Sequence, residues 1–241
     1  MKFRIADEIF RDFDQPFIGV IVTRGVDNHG NNSEIAELLR KSEADLKKQF
    51  EGVEVSEHPH IVPWRAAYQQ FGAKPREFRC SAEALSRIVL RGNEIRNINK
   101  LVDVYNYISI KYILPVGGED LDKMQGDLVL AYATGEEPYS ALGQEENDPP
   151  QKGEVVYKDD VGILCRRWNW REGDRTKLTE NTTNAVLVVE SLAPIPQDVT
   201  EKATNELAQL VKKYCGGSVQ VHFLDENNYN LHSHMESRNT K

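Results

Sequence analysis

The 241-residue chain has 39% hydrophobic residues, with three Trp and eight Phe, which is enough for a substantial core, and no apolar run approaches the ~20 residues of a membrane span. Its formal net charge of −8 weighs against a purely electrostatic nucleic-acid binder, yet the sign is uneven: residues 65–100 hold eight Lys or Arg against three acids. The start, MKFRIADEIFRDF, puts charges where an export signal needs an apolar stretch, and Cys80, Cys165 and Cys215 are too widely spaced for a disulfide framework or a zinc site. These features predict a cytoplasmic protein with reduced, buried thiols and no metal or cofactor.

In chain order, residues 17–23 (FIGVIVT) predict a buried strand, and Ser33 to Phe50 predicts a surface helix capped by Asn31, Asn32 or Ser33. Pro63 to Phe71 carries Trp64, Ala67, Tyr68 and Phe71 at helical spacing and ends at Gly72. Ser81 is the expected cap of the next helix, whose Arg87 and Arg91 lie one turn apart. The segment NINKLVDVYNYISIKYILPVGG then reads as a helix stopped by Pro115 and Gly117-Gly118. Its Asn99, Asp103 and Asn106 fall on one face between two apolar stripes.

Residues 127–133, 154–157, 160–166 and 184–192 are short apolar runs separated by Gly, Asp and Pro, the pattern of a meandering sheet. The run DVTEKATNELAQLVKKY is an amphipathic helix and SVQVHFL an alternating strand. Residues 225–241 have little apolar content and are expected to fray, and His232 and His234 alone do not define a metal site. Helices first and strands after favour an α+β domain over residues 1–224.

Nucleophile-elbow, Walker, HExxH and GxGxxG signatures are missing. What the chain does carry is an ordered series: INKLVDVYNYIS, LPVGGEDLDKMQGDLVLAYATGEEPYSALG, GEVVYKDD and TENTTNAVLVVESL. Over residues 64–192 this series resembles the B3/B4 domain of the phenylalanyl-tRNA synthetase beta subunit. It is more similar still to freestanding relatives that share Trp64, Tyr68, Phe71-Gly72 and the run from Arg166 to Arg171. The resemblance implies a B3/B4-like fold, a central, mostly antiparallel sheet meander flanked by helices. In the synthetase this domain hydrolyses tyrosine wrongly attached to the phenylalanine tRNA. An analogous editing hydrolase acting in trans on a mischarged aminoacyl-tRNA is therefore expected here, and not a tRNA ligase. A tRNA-binding module without chemistry and an amino-acid-binding protein are the alternatives.

Carried over by position, the resemblance implies Asp103, Asn106, Gly117 and Glu190 as the catalytic set. Gly117 stands where the family has a pocket histidine, and Glu190 where it has the glutamate that reads the tyrosine hydroxyl. Asn99, Thr183, Trp168 and Trp170 are the expected substrate contacts. In an extended RRWNWR both indoles would face one side, stacking on the terminal adenine or packing in the core. Arg79, Arg87, Arg91, Arg166, Arg167 and Arg171 are the expected phosphate contacts, or members of a solvated, ion-paired face.

Overall fold

The computed structural model describes residues 2–232; His234 and the side chain of His232 lie outside what it describes. In chain order the elements are β1 (Lys2–Ile5), α1 (Asp7–Asp12), β2 (Phe17–Arg24), α2 (Ser33–Gln49), α3 (Val62–Gln70), α4 (Ser81–Leu90) and α5 (Lys100–Tyr112). There follow β3 (Val116–Asp120), β4 (Leu128–Tyr132), β5 (Val155–Lys158), β6 (Ile163–Arg166), β7 (Arg171–Glu172), β8 (Asn184–Ser191), α6 (Gln197–Cys215), β9 (Ser218–Leu224) and β10 (Asn230–His232).

This is an α+β fold with two mostly antiparallel sheets. One has the order β10-β1-β4-β5-β6-β7, in which only the β1–β4 pair is parallel, and the other the order β3-β8-β2-β9. The expected meander is present from β4 to β7, but β8 leaves it and pairs between β2 and β3. Its NAVLVVES sequence is buried on both faces, which suits the middle of a covered sheet better than a meander edge. Residues 225–232 also differ from expectation: they turn through Asp225 and Asn228 and return as β10 alongside β1.

Local chemistry explains most boundaries. Asn32 caps α2 by accepting from the Ile35 amide, and Gly72, at φ +87°, follows α3 in a backbone conformation that a side chain would strain. Helix α5 ends at Ile113, which takes a left-handed φ of 54°. Gly117 and Gly118 lie beyond that stop, as strand residues of β3. Ser81 is not the cap of α4. Cys80 holds that position without a side-chain bond, and Ser81 is the first helical residue.

Candidate functional site

Between the two sheets lies a partly open cavity of about 210 Å³, bordered by α4, α5 and the turn between β6 and β7. Strand β8 presents Val186, Val188 and Glu190 to it, residues of one parity and therefore of one face. The opposite sheet contributes Leu128, Tyr157, Cys165 and Glu172, one from each of four strands. The walls are largely apolar, and the polar groups are few and convergent, the usual make-up of a small-molecule pocket.

Only part of the polar seam of α5 reaches this space. Asn99 is the N-cap: its Oδ1 accepts from the Val102 amide and its Nδ2 donates to the Leu178 carbonyl. Asp103 accepts from the Ile98 amide and from Asn97 Nδ2, which ties down the loop before the helix. Neither lines the cavity, whereas Asn106 and Tyr105 do. The seven residues from Asn99 to Asn106 climb about 10 Å along a helix, so one face serves a cap at one end and a pocket at the other.

Glu190 faces the cavity but its oxygens are heavily engaged. Oε1 accepts from the Tyr157 hydroxyl and from Trp168 Nε1 at 2.7 Å, and Oε2 accepts from Asn169 Nδ2 at 2.9 Å. Burial raises its pKa against these three donors. Asn169 in turn accepts from the Tyr68 hydroxyl at 3.0 Å, and Trp168 packs edge-on to Trp64 with ring centres 5.2 Å apart. The presence of Trp64, Tyr68 and RRWNWR together in this chain thus has a physical basis, since α3 braces the turn that holds Glu190.

That turn is not extended. Arg167 and Trp168 take φ of 47° and 65°, sending the Trp168 indole into the core while Trp170 stays half-buried at the pocket edge. The expected extended conformation is therefore corrected to a turn, while Trp168 and Trp170 both border the cavity. Arg166 and Arg167 are also withdrawn from solvent. Arg166 is bound by Glu154 and Asp148, and Arg167 lies over Phe78, 3.7 Å from the ring centre, and 3.2 Å from Glu154. Arg171, which borders the cavity, and Arg91 are exposed. Arg79, Arg87 and Arg65 converge on the fully buried Glu83, at 3.7, 2.9 and 2.8 Å. One carboxylate offsets only one of the three charges, which leaves this face of α4 positive. Thr183 is exposed, 3.4 Å from Asp122, and does not reach the cavity.

Three site features had little signal in the sequence. Glu119 and Glu172 both line the cavity, near enough that each influences the ionisation of the other. Burial, reinforced by the neighbouring Glu172 charge, holds the Glu119 carboxyl well above the usual range. Burial also pushes Glu172 up to about 7. Ser81 Oγ is buried at the cavity without a hydrogen-bond partner among the described residues. Glu172 occupies space left open by Gly117, since a Cβ there would stand 2.8 Å from Glu172 Oε1. Cys165 also lines the pocket, but burial keeps its thiol protonated, so it is no ready nucleophile. No group of three or more His, Cys, Asp or Glu among the described residues is arranged to hold a metal, and no described helix is long and apolar enough to cross a membrane.

Fold and cavity define a two-sheet α+β domain built around an internal pocket for a small group. A family model for the B3/4 domain matches residues 63–216, well over half of the sequence, and the chain belongs to that family. The phenylalanine–tRNA ligase beta subunit of Psychrobacter arcticus is 36% identical over 93 residues, covering 39% of this chain and 11% of that subunit. The corresponding subunit of Ruegeria pomeroyi is 36% identical over 98 residues, covering 41% and 12%. The chain thus spans only about a tenth of these curated relatives. Among solved structures, an N-terminal fragment of the phenylalanyl-tRNA synthetase beta subunit from Pyrococcus horikoshii aligns over 90% of this chain and 49% of its own, with a TM-score of 0.47 and 11% identity.

Proposed function

We propose that this chain is an editing hydrolase that removes the amino acid from a mischarged aminoacyl-tRNA in trans. The observation that carries the reading is the partly open cavity between the sheets, in a domain of the B3/4 family, lined at once by Asn106, Glu119 and Glu172. An aminoacyl ester is already activated by its ribose leaving group, so a positioned water and stabilisation of the developing oxyanion suffice. A cavity of about 210 Å³ has room for an amino-acid side chain.

In this reading the amino acid enters the pocket between the two sheets, against the face formed by β3 and β8, its ammonium drawn to the acidic end and to the Asn106 carboxamide. Ser81 Oγ, which lacks a partner among the described residues, is available to the ester carbonyl. Trp170 at the pocket edge offers a stacking surface to the terminal adenosine. Arg171, Arg91 and the Arg79–Arg87 face of α4 attract the phosphates. Such a substrate puts the reaction in the cytoplasm, where translation occurs.

The test is single-turnover deacylation of a panel of mischarged tRNAs by the purified chain. Faster ester loss than in buffer for at least one pairing is expected; rates equal to buffer for every pairing would refute it. A second reading, a binding module without chemistry, is favoured by the engagement of both Glu190 oxygens with Tyr157, Trp168 and Asn169. It predicts tRNA affinity that falls steeply with salt and no turnover.

A further inference from the structure

We infer that Glu119 and Glu172 act as a proton-sharing carboxyl pair, with Glu172 as the base that activates the attacking water. The inference rests on the deacylase reading of the cavity and assigns the chemistry within it.

Four observations meet here. Glu119 is 6% exposed, lines the cavity, and its Oε2 has no hydrogen-bond partner among the described residues. Glu172 Oε2 is likewise buried without one. Two neighbouring carboxylates, each with one buried oxygen lacking a donor, repel each other, whereas one proton between them supplies a donor. The two come from different sheets, Glu119 from β3 and Glu172 from β7, so the fold assembles the pair at the seam where the cavity lies. Finally, the bare Cα of Gly117 leaves the approach of Glu172 unobstructed, with Oε1 closer than any Cβ would permit.

With one proton on the pair, held mainly by Glu119, Glu172 is free to accept another. Its carboxylate takes a proton from water as the hydroxide oxygen bonds to the ester carbonyl carbon, forming the tetrahedral intermediate. When the bond from that carbon to the ribose oxygen breaks, the leaving oxygen takes one proton from the pair, which returns to its single-proton state. The released amino acid gives its carboxyl proton to solvent. Atoms and charge balance, and no redox partner is needed.

The surrounding charged and titratable groups set where the pair ionises. Glu190 pushes Glu172 up, contact with the Cys165 thiol pulls it down, and Arg175 pulls Glu119 down. Tyr105 also faces the pair with its phenol held protonated, and Arg171 borders the same cavity. Desolvation is the largest influence on both acids.

The experiment uses the full chain and two readouts. Carboxyl titration by isotope-edited infrared spectroscopy on the unliganded protein should find a glutamate ionising near 7 that is lost in Glu172→Gln. The deacylation rate should rise with pH through the same midpoint, and Glu172→Gln should lower it by at least about 100-fold while removing that rise, with KM little changed. Glu172→Asp, one methylene shorter, keeps the titration and loses rate, and it serves if the Gln variant does not fold. A Glu172→Gln protein within threefold of wild type and with the same pH profile would overturn the inference and leave the hydrolase reading intact. So would a titration that finds no carboxyl ionising above about 6. If wild type hydrolyses no aminoacyl ester, the functional reading fails and the catalytic role with it, while the infrared titration still reports whether the pair exists.

Discussion

Gly117 and Glu172 face each other across the two sheets so closely that a methyl group on Gly117 would lie 2.8 Å from the Glu172 carboxylate. The glycine is not needed for backbone freedom, since a left-handed φ is not recorded there. What it provides is room for a carboxylate from the other sheet. Gly117→Ala should therefore displace Glu172 with β3 left paired to β8. Expected costs are about 1–3 kcal/mol by urea unfolding and a tenfold or larger fall in deacylation rate by single-turnover assay.

Glu190 holds the β6–β7 turn in place through Tyr157, Trp168 and Asn169. Glu190→Ala strands three donors in the core and should destabilise the protein by roughly 3–5 kcal/mol, read as a shift in the urea midpoint at constant slope. A change under about 1 kcal/mol would mean that these bonds are not central to the fold.

The arginines divide into two groups with opposite expectations. Arg166 is 3% exposed and bound by Glu154 and Asp148, so Arg166→Ala should cost about 3–5 kcal/mol of stability by leaving Glu154 with less compensation. Arg91 is exposed, so Arg91→Ala should leave stability within about 0.5 kcal/mol. In a tRNA titration over a salt series the same variant should weaken binding and flatten the logarithmic salt slope by somewhat less than one unit.

The acid pair also makes stability depend on pH. Glu172 ionises near 7 in the folded chain, above the ordinary carboxyl range, and burial beside the Glu172 charge holds Glu119 well above that range too, so the folded state binds these protons more tightly than the unfolded state. That contribution is fully present below the ordinary carboxyl range and is lost as pH rises through the folded values. Glu172→Gln, neutral at every pH, should therefore gain stability over wild type between about pH 5 and pH 8, and unfolding midpoints across that window read the difference directly.

Much of this fold is legible in the sequence because its signals are local. The 3.6-residue periodicity locates α2, α5 and α6, and Gly72 marks the end of α3. The pairing of β8 with β2 and β3 was not legible, since a buried apolar strand carries no mark of which sheet it joins. Gly117-Gly118 reads as a stop because glycine is a turn residue in isolation, and only the close approach of Glu172 and of Leu187 shows why two glycines sit in a strand. Arg167 and Trp168 take left-handed φ without being glycines, so nothing local separates that turn from an extended run. Asn106 could be found from its place on the helix, whereas Glu172, on a two-residue strand, depends on contacts between sheets.

The central claim is that the pocket between the sheets receives the amino acid of an aminoacyl ester. It is tested most directly by a crystal structure of the chain with a non-hydrolysable aminoacyl-adenosine amide. The account predicts the aminoacyl group between the two sheets, against β3 and β8, with its carbonyl carbon within reach of a water held by Glu172 and its adenine near Trp170. Well-defined binding outside this cavity, or no binding at millimolar analogue, would contradict it.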